Sequence, residues 1–430
     1  MQQDHVGAQA LEGAPQGSGA ERDAVAVGGR QAQAGQLVAP VAVALARPGD
    51  DDVVLEGAGG PRVAGLRVEV GADAAGALAV EERDIDNAQM PTILVDPQPR
   101  ALDTILDAAT RARLDALGDV VVHEGAGRMP DAVVEAHLAD TVAIVGQTHL
   151  DAERIARAPA LRAVINVEGN FLRNVDYEAC FAHGIHVLVA SPAFAPAVAE
   201  AALGMAIDLA RGITATDRAM RAGTETYGLE ANRGSFLLAG SDVGVVGLGD
   251  LGRELVRLLA PFRCRVRAHD PWLPDLVVRA AGAEPSGLDE LLRASRVVFV
   301  FAAPTTDNQA MLGRRELELL PDGAAVLVMS RAAVVDLDAL VELAAAGRLR
   351  AAVDVWPREP VPADHPARSV EGLLLSPHRT GGMPEAFQAI GRLVVADLEL
   401  VLRGLPPVAC RRAERETVGR LRSRPIDEAE

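Results

Sequence analysis

The chain has 430 residues, 49% hydrophobic and 24% charged, a size and balance that suit two or three globular domains. Its formal net charge of −18, unrelieved by any basic stripe and with Arg at every basic position, argues against nucleic acid as a partner. Cys180, Cys264 and Cys410 lack paired spacing, which argues against a disulfide framework and against a metal site, so a reducing cytoplasm is the expected home.

Residues 1–89 contain no Phe, Tyr or Trp and one Ile, and their many Gly and Ala follow no helical or strand period. Such a low-complexity segment has few large apolar groups to offset the entropy of ordering. It is expected to be a disordered acidic extension or a stretch upstream of the true start. The second reading is favoured because Met90-Pro91 leads straight into a short buried strand over 92–96. The start lacks the pattern of a signal peptide, and its most apolar run, 37–46, is too short to span a bilayer, so no membrane partner is expected.

From Met90 onward strands and helices alternate. Strands are expected over 119–123, 141–146, 161–167 and 185–189, with helical stretches at 130–138 and 151–156 between them. A long helix is expected over 197–220, with Val198, Ala202, Met205 and Leu209 along one face. A second series runs from Val243 to about Leu375. The fold class is therefore α/β, two Rossmann-like lobes of parallel strands with crossover helices around a cleft, preceded by the low-complexity segment.

The strongest local signal lies at the start of the second series. An apolar strand runs into Gly247-Leu-Gly249-Asp250-Leu251-Gly252, and a helical pattern (Leu255, Leu258, Leu259) follows. Gly247 permits a tight turn, Gly249 lets the backbone approach a pyrophosphate, and Gly252 lets the helix pack on the strand. The helix N-terminus offers free amides and the positive end of its dipole. A second strand over 263–268 ends at Asp270, 18 residues after Gly252, where a dinucleotide unit places the acid that accepts ribose hydroxyls. The dinucleotide is expected to be NAD, because a carboxylate there repels the 2′-phosphate of NADP.

Three pieces downstream carry chemistry. The apolar run 326–330 delivers Arg331, the segment 351–360 carries Asp354 and Glu359, and the strand 373–377 ends in His378. Ligands of open parallel sheets collect at the carboxyl ends of strands, which is where all three fall. An Arg fork can bind a carboxylate, and a His, which titrates near neutrality, can give or take a proton.

Together these residues resemble the D-isomer-specific 2-hydroxyacid dehydrogenase family, over 161–406 closely and over 90–160 in general style. The resemblance implies an NAD-dependent oxidoreductase acting on the CH–OH group of a small 2-hydroxy acid. Arg331 is then the substrate-binding Arg, with Glu359 and His378 the acid–base pair. It assigns Gly247, Gly249, Asp250, Leu251, Gly252, Asp270, Asn308, Met329 and Asp354 to the cofactor, and Gly169 and Asn170, with Arg331, to the substrate. It further implies a substrate domain over 90–192, an NAD-binding domain over 193–378, a return to the substrate domain over 379–410 and a charged tail over 411–430. A cytoplasmic homodimer is implied as well, with small residues of the 197–220 helix available for close packing between subunits.

The sequence departs from the family pattern at several points. Ala332 follows Arg331 where Gly is common, Phe171 replaces a loop Gly in Glu168-Gly169-Asn170-Phe171, and Asp250 stands where an Arg often reaches the phosphates. The stretch 303–308 aligns with the family only to within one residue. A changed substrate pocket is expected. Two other readings share the scaffold: an NADH-sensing binding protein similar to the C-terminal-binding corepressors, and a formate dehydrogenase-like enzyme. The acidic charge and the lack of a basic tail weigh against the first. Glu359 weighs against the second, where a Gln is expected beside the His.

Overall fold

The computed structural model describes residues 90–421, so the expectations for 1–89 and for the last residues of the tail fall outside the described residues. Two sheets carry the fold. The first contains β1 (Thr92–Asp96), β2 (Asp119–Val122), β3 (Thr141–Gly146), β4 (Ala163–Asn166) and β5 (His186–Val189). The second contains β6 (Asp242–Val246), β7 (Arg265–His269), β8 (Glu284–Pro285), β9 (Val297–Val300), β10 (Ala325–Val328), β11 (Arg350–Val353) and β12 (Leu373–Leu375). A last strand, β13 (Arg411–Arg412), returns to the first sheet and pairs antiparallel with β5. The spatial orders are β13-β5-β4-β3-β1-β2 and β12-β11-β10-β9-β6-β7-β8, with every other pairing parallel.

The strands are apolar on both faces because both faces are covered. In the second sheet Val298, Val300, Val326, Val328 and Val353 enter one core, while Val297, Phe299, Ala325 and Leu327 enter the other. The first sheet divides in the same way, Ile93, Val95, Val145 and Ile165 against Leu94, Ile144 and Val164. Each large aliphatic side chain so buried contributes about 1.5–3 kcal/mol. In each sheet the strand order reverses once, between β1 and β3 and between β6 and β9, and the crevices of such sheets open at those points.

Two helices join the lobes. The crossover helix Ser191–Arg211 starts directly after β5 and buries Ala199, Ala202 and Ala206 in the core of the second lobe. The return helix Pro384–Leu402 packs Ile390, Val394, Val395 and Leu398 into the core of the first. Asp397 on this helix is fully buried, and its carboxylate accepts the backbone N–H groups of Val408, Ala409 and Cys410 at 2.7–2.8 Å, which fixes the chain leading to β13.

Three expectations need correction. The single helix over 197–220 is two helices, because Gly212 adopts φ 65° and ends the crossover helix, and Ile213–Ala222 starts afresh with Thr214 bonded to the Asp208 side chain. Hydrophobic periodicity runs through such a break without registering it. Of the small residues on the crossover helix, Ala199, Ala202, Ala206 and Ala210 face the chain's own interior and are not free to pack against another subunit, which leaves Ala197, Ala201 and Gly204. Third, Arg411 and Arg412 do not begin a tail: they form the edge strand, held by β5 and followed by the short helix Arg415–Val418.

Candidate active site

The glycine loop sits at the reversal point of the second sheet. Gly247 has φ 90°, and a Cβ there would lie 2.5 Å from the Ala302 nitrogen after β9. A Cβ on Gly252 would lie 2.4 Å from the Gly247 carbonyl oxygen, so the helix Asp250–Leu259 can approach only as glycine. Gly249, in contrast, has nothing within 4 Å of where a Cβ would stand. The helix has no side-chain cap, which leaves its first amides free for an anion. Asp270 follows β7 and braces the loop, accepting from the Leu248 N–H at 2.9 Å and the Trp272 N–H at 3.1 Å. A cradle shaped by two obligatory glycines, open at the third and lined by free amides, fits the pyrophosphate of a dinucleotide.

Three other residues expected at the cofactor are placed by their own surroundings. Leu251 is half-buried against the core and Met329 is buried within it. The Asn308 amide closes its own loop, accepting from the Thr305 N–H at 2.7 Å and donating to the Ala303 carbonyl at 2.8 Å.

Arg331, Glu359 and His378 meet at the carboxyl edge of the same sheet, after β10, β11 and β12. Arg331 donates to the Ser330 carbonyl at 2.7 Å, and the Ser330 hydroxyl donates to the Ala302 carbonyl at 2.8 Å, tying this corner to the loop after β9. Burial presses the Arg331 guanidinium below the ordinary arginine range, and the charges of Glu168 and Glu359 act against that pressure. Arginine keeps its proton under such pressure. Glu359 accepts from the Trp356 N–H at 2.9 Å and lies 2.8 Å from Nδ1 of His378. With Nδ1 engaged by a carboxylate, Nε2 is the nitrogen left for proton transfer. The imidazole is 43% exposed, open to a small ligand.

His378 also has φ 50°, a left-handed conformation that a non-glycine residue holds only under constraint. Asp354 supplies that constraint. It is 1% exposed, its backbone carbonyl accepts the His378 N–H at 2.8 Å, and its carboxylate accepts from Ser376, the Arg379 N–H at 3.1 Å and the Thr380 hydroxyl at 2.5 Å. Asp354, expected at the cofactor, thus acts on the turn that carries the His. Ser376 and Thr380 were missed by sequence reasoning, although both flank His378 in the same polar run.

The first lobe contributes the loop after β4. Gly169 faces Phe194, whose ring is 3.5 Å from where a Cβ would stand, and Asn170 is half-buried beside it. Glu168 pairs with Arg100 at 2.8 Å, and the Arg100 guanidinium lies 4.5 Å from the centre of the Phe387 ring. Glu168 opens the loop that the sequence singled out, but Arg100 stands in no recognisable motif, so only the fold brings this pair to light.

Residues 203–380 match the family model described as "D-isomer specific 2-hydroxyacid dehydrogenase, NAD binding domain". A D-3-phosphoglycerate dehydrogenase of Archaeoglobus fulgidus is 29% identical over 62% of this chain and 50% of its own length. A glyoxylate reductase of Thermofilum pendens is 28% identical over 67% of this chain and 87% of its own. Among solved structures, a phosphoglycerate oxidoreductase from Rhizobium etli is 44% identical, with a TM-score of 0.69, over 76% of this chain and 100% of that one. The chain spans about half the length of the phosphoglycerate dehydrogenases it matches.

Proposed function

The chain belongs to the D-isomer-specific 2-hydroxyacid dehydrogenase family, and from that premise we propose that it interconverts a small 2-hydroxy acid and its 2-oxo acid. The observation that carries the reading is the His378–Glu359 pair at 2.8 Å, on a strained turn, in a corner it shares with Arg331. NAD(H), when bound along the glycine loop, supplies or takes up the hydride. Arg331 grips the substrate carboxylate and polarises the neighbouring carbonyl with its fork. Nε2 of His378 donates a proton to the carbonyl oxygen in reduction and takes it from the hydroxyl in oxidation. Glu359 orients the imidazole and stabilises its charged form. The loop 168–171 and Arg100 shape the pocket from the first lobe. Asp270 favours NAD over NADP, and specificity constants for the two cofactors check this.

The natural substrate falls among those named for the relatives, a phosphoglycerate or glyoxylate, or an acid of that size. A cytoplasmic homodimer completes the reading. The helix Ile213–Ala222 buries none of its residues, and Ile213, Met220, Tyr227, Leu229 and Leu237 are exposed in the stretch it opens. Sedimentation of a monomer at micromolar concentration contradicts the dimer.

The deciding experiment follows NADH absorbance with a panel of 2-oxo acids, against formate with NAD. Turnover of a 2-oxo acid that disappears in His378→Ala supports the proposal. NADH binding with no turnover of any acid leaves a dinucleotide-binding protein and removes the enzyme.

A further inference from the structure

Asp250 is the first residue of the helix that follows the glycine loop, so its carboxylate sits where the pyrophosphate is received. A negative side chain there opposes two incoming negative charges and offsets part of the favourable helix dipole. The structure shows what answers it. The Ser191 hydroxyl donates to one oxygen of Asp250, and Arg411 Nη1 lies 3.7 Å from the other. Ser191 is the first residue of the crossover helix, and Arg411 lies on β13, in the sheet of the first lobe. Three elements thus converge on one side chain beside the cofactor loop, and two of them start from the first lobe.

Arg411 is otherwise uncommitted. Among the described residues its guanidinium makes this ionic contact and no hydrogen bond, and the side chain is 46% exposed. Five donors on a flexible stem therefore stand beside the phosphate-binding loop without an acceptor. Its position is fixed by the chain behind it, through the bonds from Asp397 to the 408–410 backbone and the pairing of β13 with β5.

We propose that Arg411 is a pyrophosphate-binding residue delivered by the first lobe, bridging Asp250 and the cofactor's phosphates so that dinucleotide binding draws the two lobes together. The anionic ligand it takes is a diphosphate. Asp250 holds the guanidinium in place until that ligand arrives and stays paired with it afterwards. The inference rests on NAD binding alone and stands apart from the hydride chemistry proposed above.

The test measures binding to the full chain, without turnover. NADH is titrated by fluorescence, and ADP and adenosine by calorimetry, for the native protein, Arg411→Ala, Arg411→Gln and Arg412→Ala. Losing one charge-assisted contact weakens Kd about 10-fold or more. That loss is expected for NADH and ADP in both Arg411 variants, with adenosine unchanged and Arg412→Ala close to native. Arg411→Gln keeps much of the side chain's length, so it decides the matter should Arg411→Ala fold poorly. The double variant Asp250→Ala/Arg411→Ala separates contact from neutralisation. If Arg411 touches the diphosphate, the double variant stays weaker than Asp250→Ala. Full recovery of NADH affinity in the double variant overturns the proposal, as does native NADH affinity in Arg411→Gln or an equal loss for adenosine.

Discussion

Asp250 and Asp354 stand at the same carboxyl edge of the second sheet, after β6 and after β11, and differ in what holds them. Asp354 is sealed in, and its carboxylate accepts from three neighbouring residues of its own lobe. Asp250 is partly exposed, hydrogen-bonded to Ser191 and ion-paired with Arg411 at 3.7 Å, on elements that begin in or belong to the first lobe. An acid whose lone pairs are all used by its own turn holds a fixed geometry. One held across lobes by a loose ion pair is placed to respond when a ligand arrives. The proposed proton transfer needs the first kind of support, and the proposed bridging of the lobes needs the second.

The sharpest test of the rigid side is His378→Ala, expected to lower kcat by about two to four orders of magnitude with NADH affinity nearly unchanged. Steady-state kinetics beside an NADH titration check it. Asp354→Ala comes next. It strands the Ser376 and Thr380 hydroxyls and the Arg379 N–H at about 1–3 kcal/mol each, so melting should fall by several degrees. With the His378 turn released, kcat should fall about 100-fold. If Asp354 acts only through that turn, adding Asp354→Ala to His378→Ala lowers the melting temperature again but costs no further kcat. A further loss of kcat breaks the comparison by giving Asp354 a direct part.

On the responsive side, Gly249→Ala should leave the melting temperature within about 1 °C, since a Cβ there meets only open space, while NADH affinity falls about 10-fold. Gly252→Ala should lose stability as well, because its Cβ would strike the Gly247 carbonyl. Melting curves with and without NADH separate the two.

The smallest effect concerns a third aspartate at the opposite edge. Asp242 opens β6 and is bonded to Arg265 and Arg267, which hold its carboxyl down at about 2. Beside it lies a shallow hollow lined by Ser241, Arg265 and Arg296, at the edge where open parallel sheets do not gather ligands. A depressed carboxyl stabilises the fold above its unfolded pKa near 4, and that stability is lost as pH falls towards 2. Because the carboxylate is 26% exposed, the contribution is about 1 kcal/mol. Asp242→Asn should flatten the melting temperature between pH 4 and 2 and leave KM unchanged.

Much of this was legible before any coordinates. The alternation of apolar strands and helical stretches gave both sheets, because parallel strands buried on two faces read as unbroken apolar runs. Gly247, Gly249, Gly252 and Asp270 were found by spacing, since the turn, the helix start and the acid are fixed by one local unit. Arg331, Glu359 and His378 were singled out because each follows a strand of the second series, and the carboxyl ends of such strands share an edge, where the structure places all three. The break at Gly212 was not legible, because an isolated glycine inside an apolar period marks a left-handed turn only when the chain on both sides is placed.

What the sequence determined by itself is therefore local: strands, glycine turns, and side chains at strand ends, all set by contacts within a few residues or by the periodicity of burial. What only the tertiary structure decided is how distant segments share one side chain. Arg411 meets Asp250 from the far end of the chain, and Arg100 meets Glu168 and Phe387. Asp354 is committed to the turn of His378, and Ala199, Ala202 and Ala206 of the crossover helix are covered from within. A charge or a small residue carries no local mark of its partner. That partner is chosen by the packing of whole lobes, and so it appears only in the folded molecule.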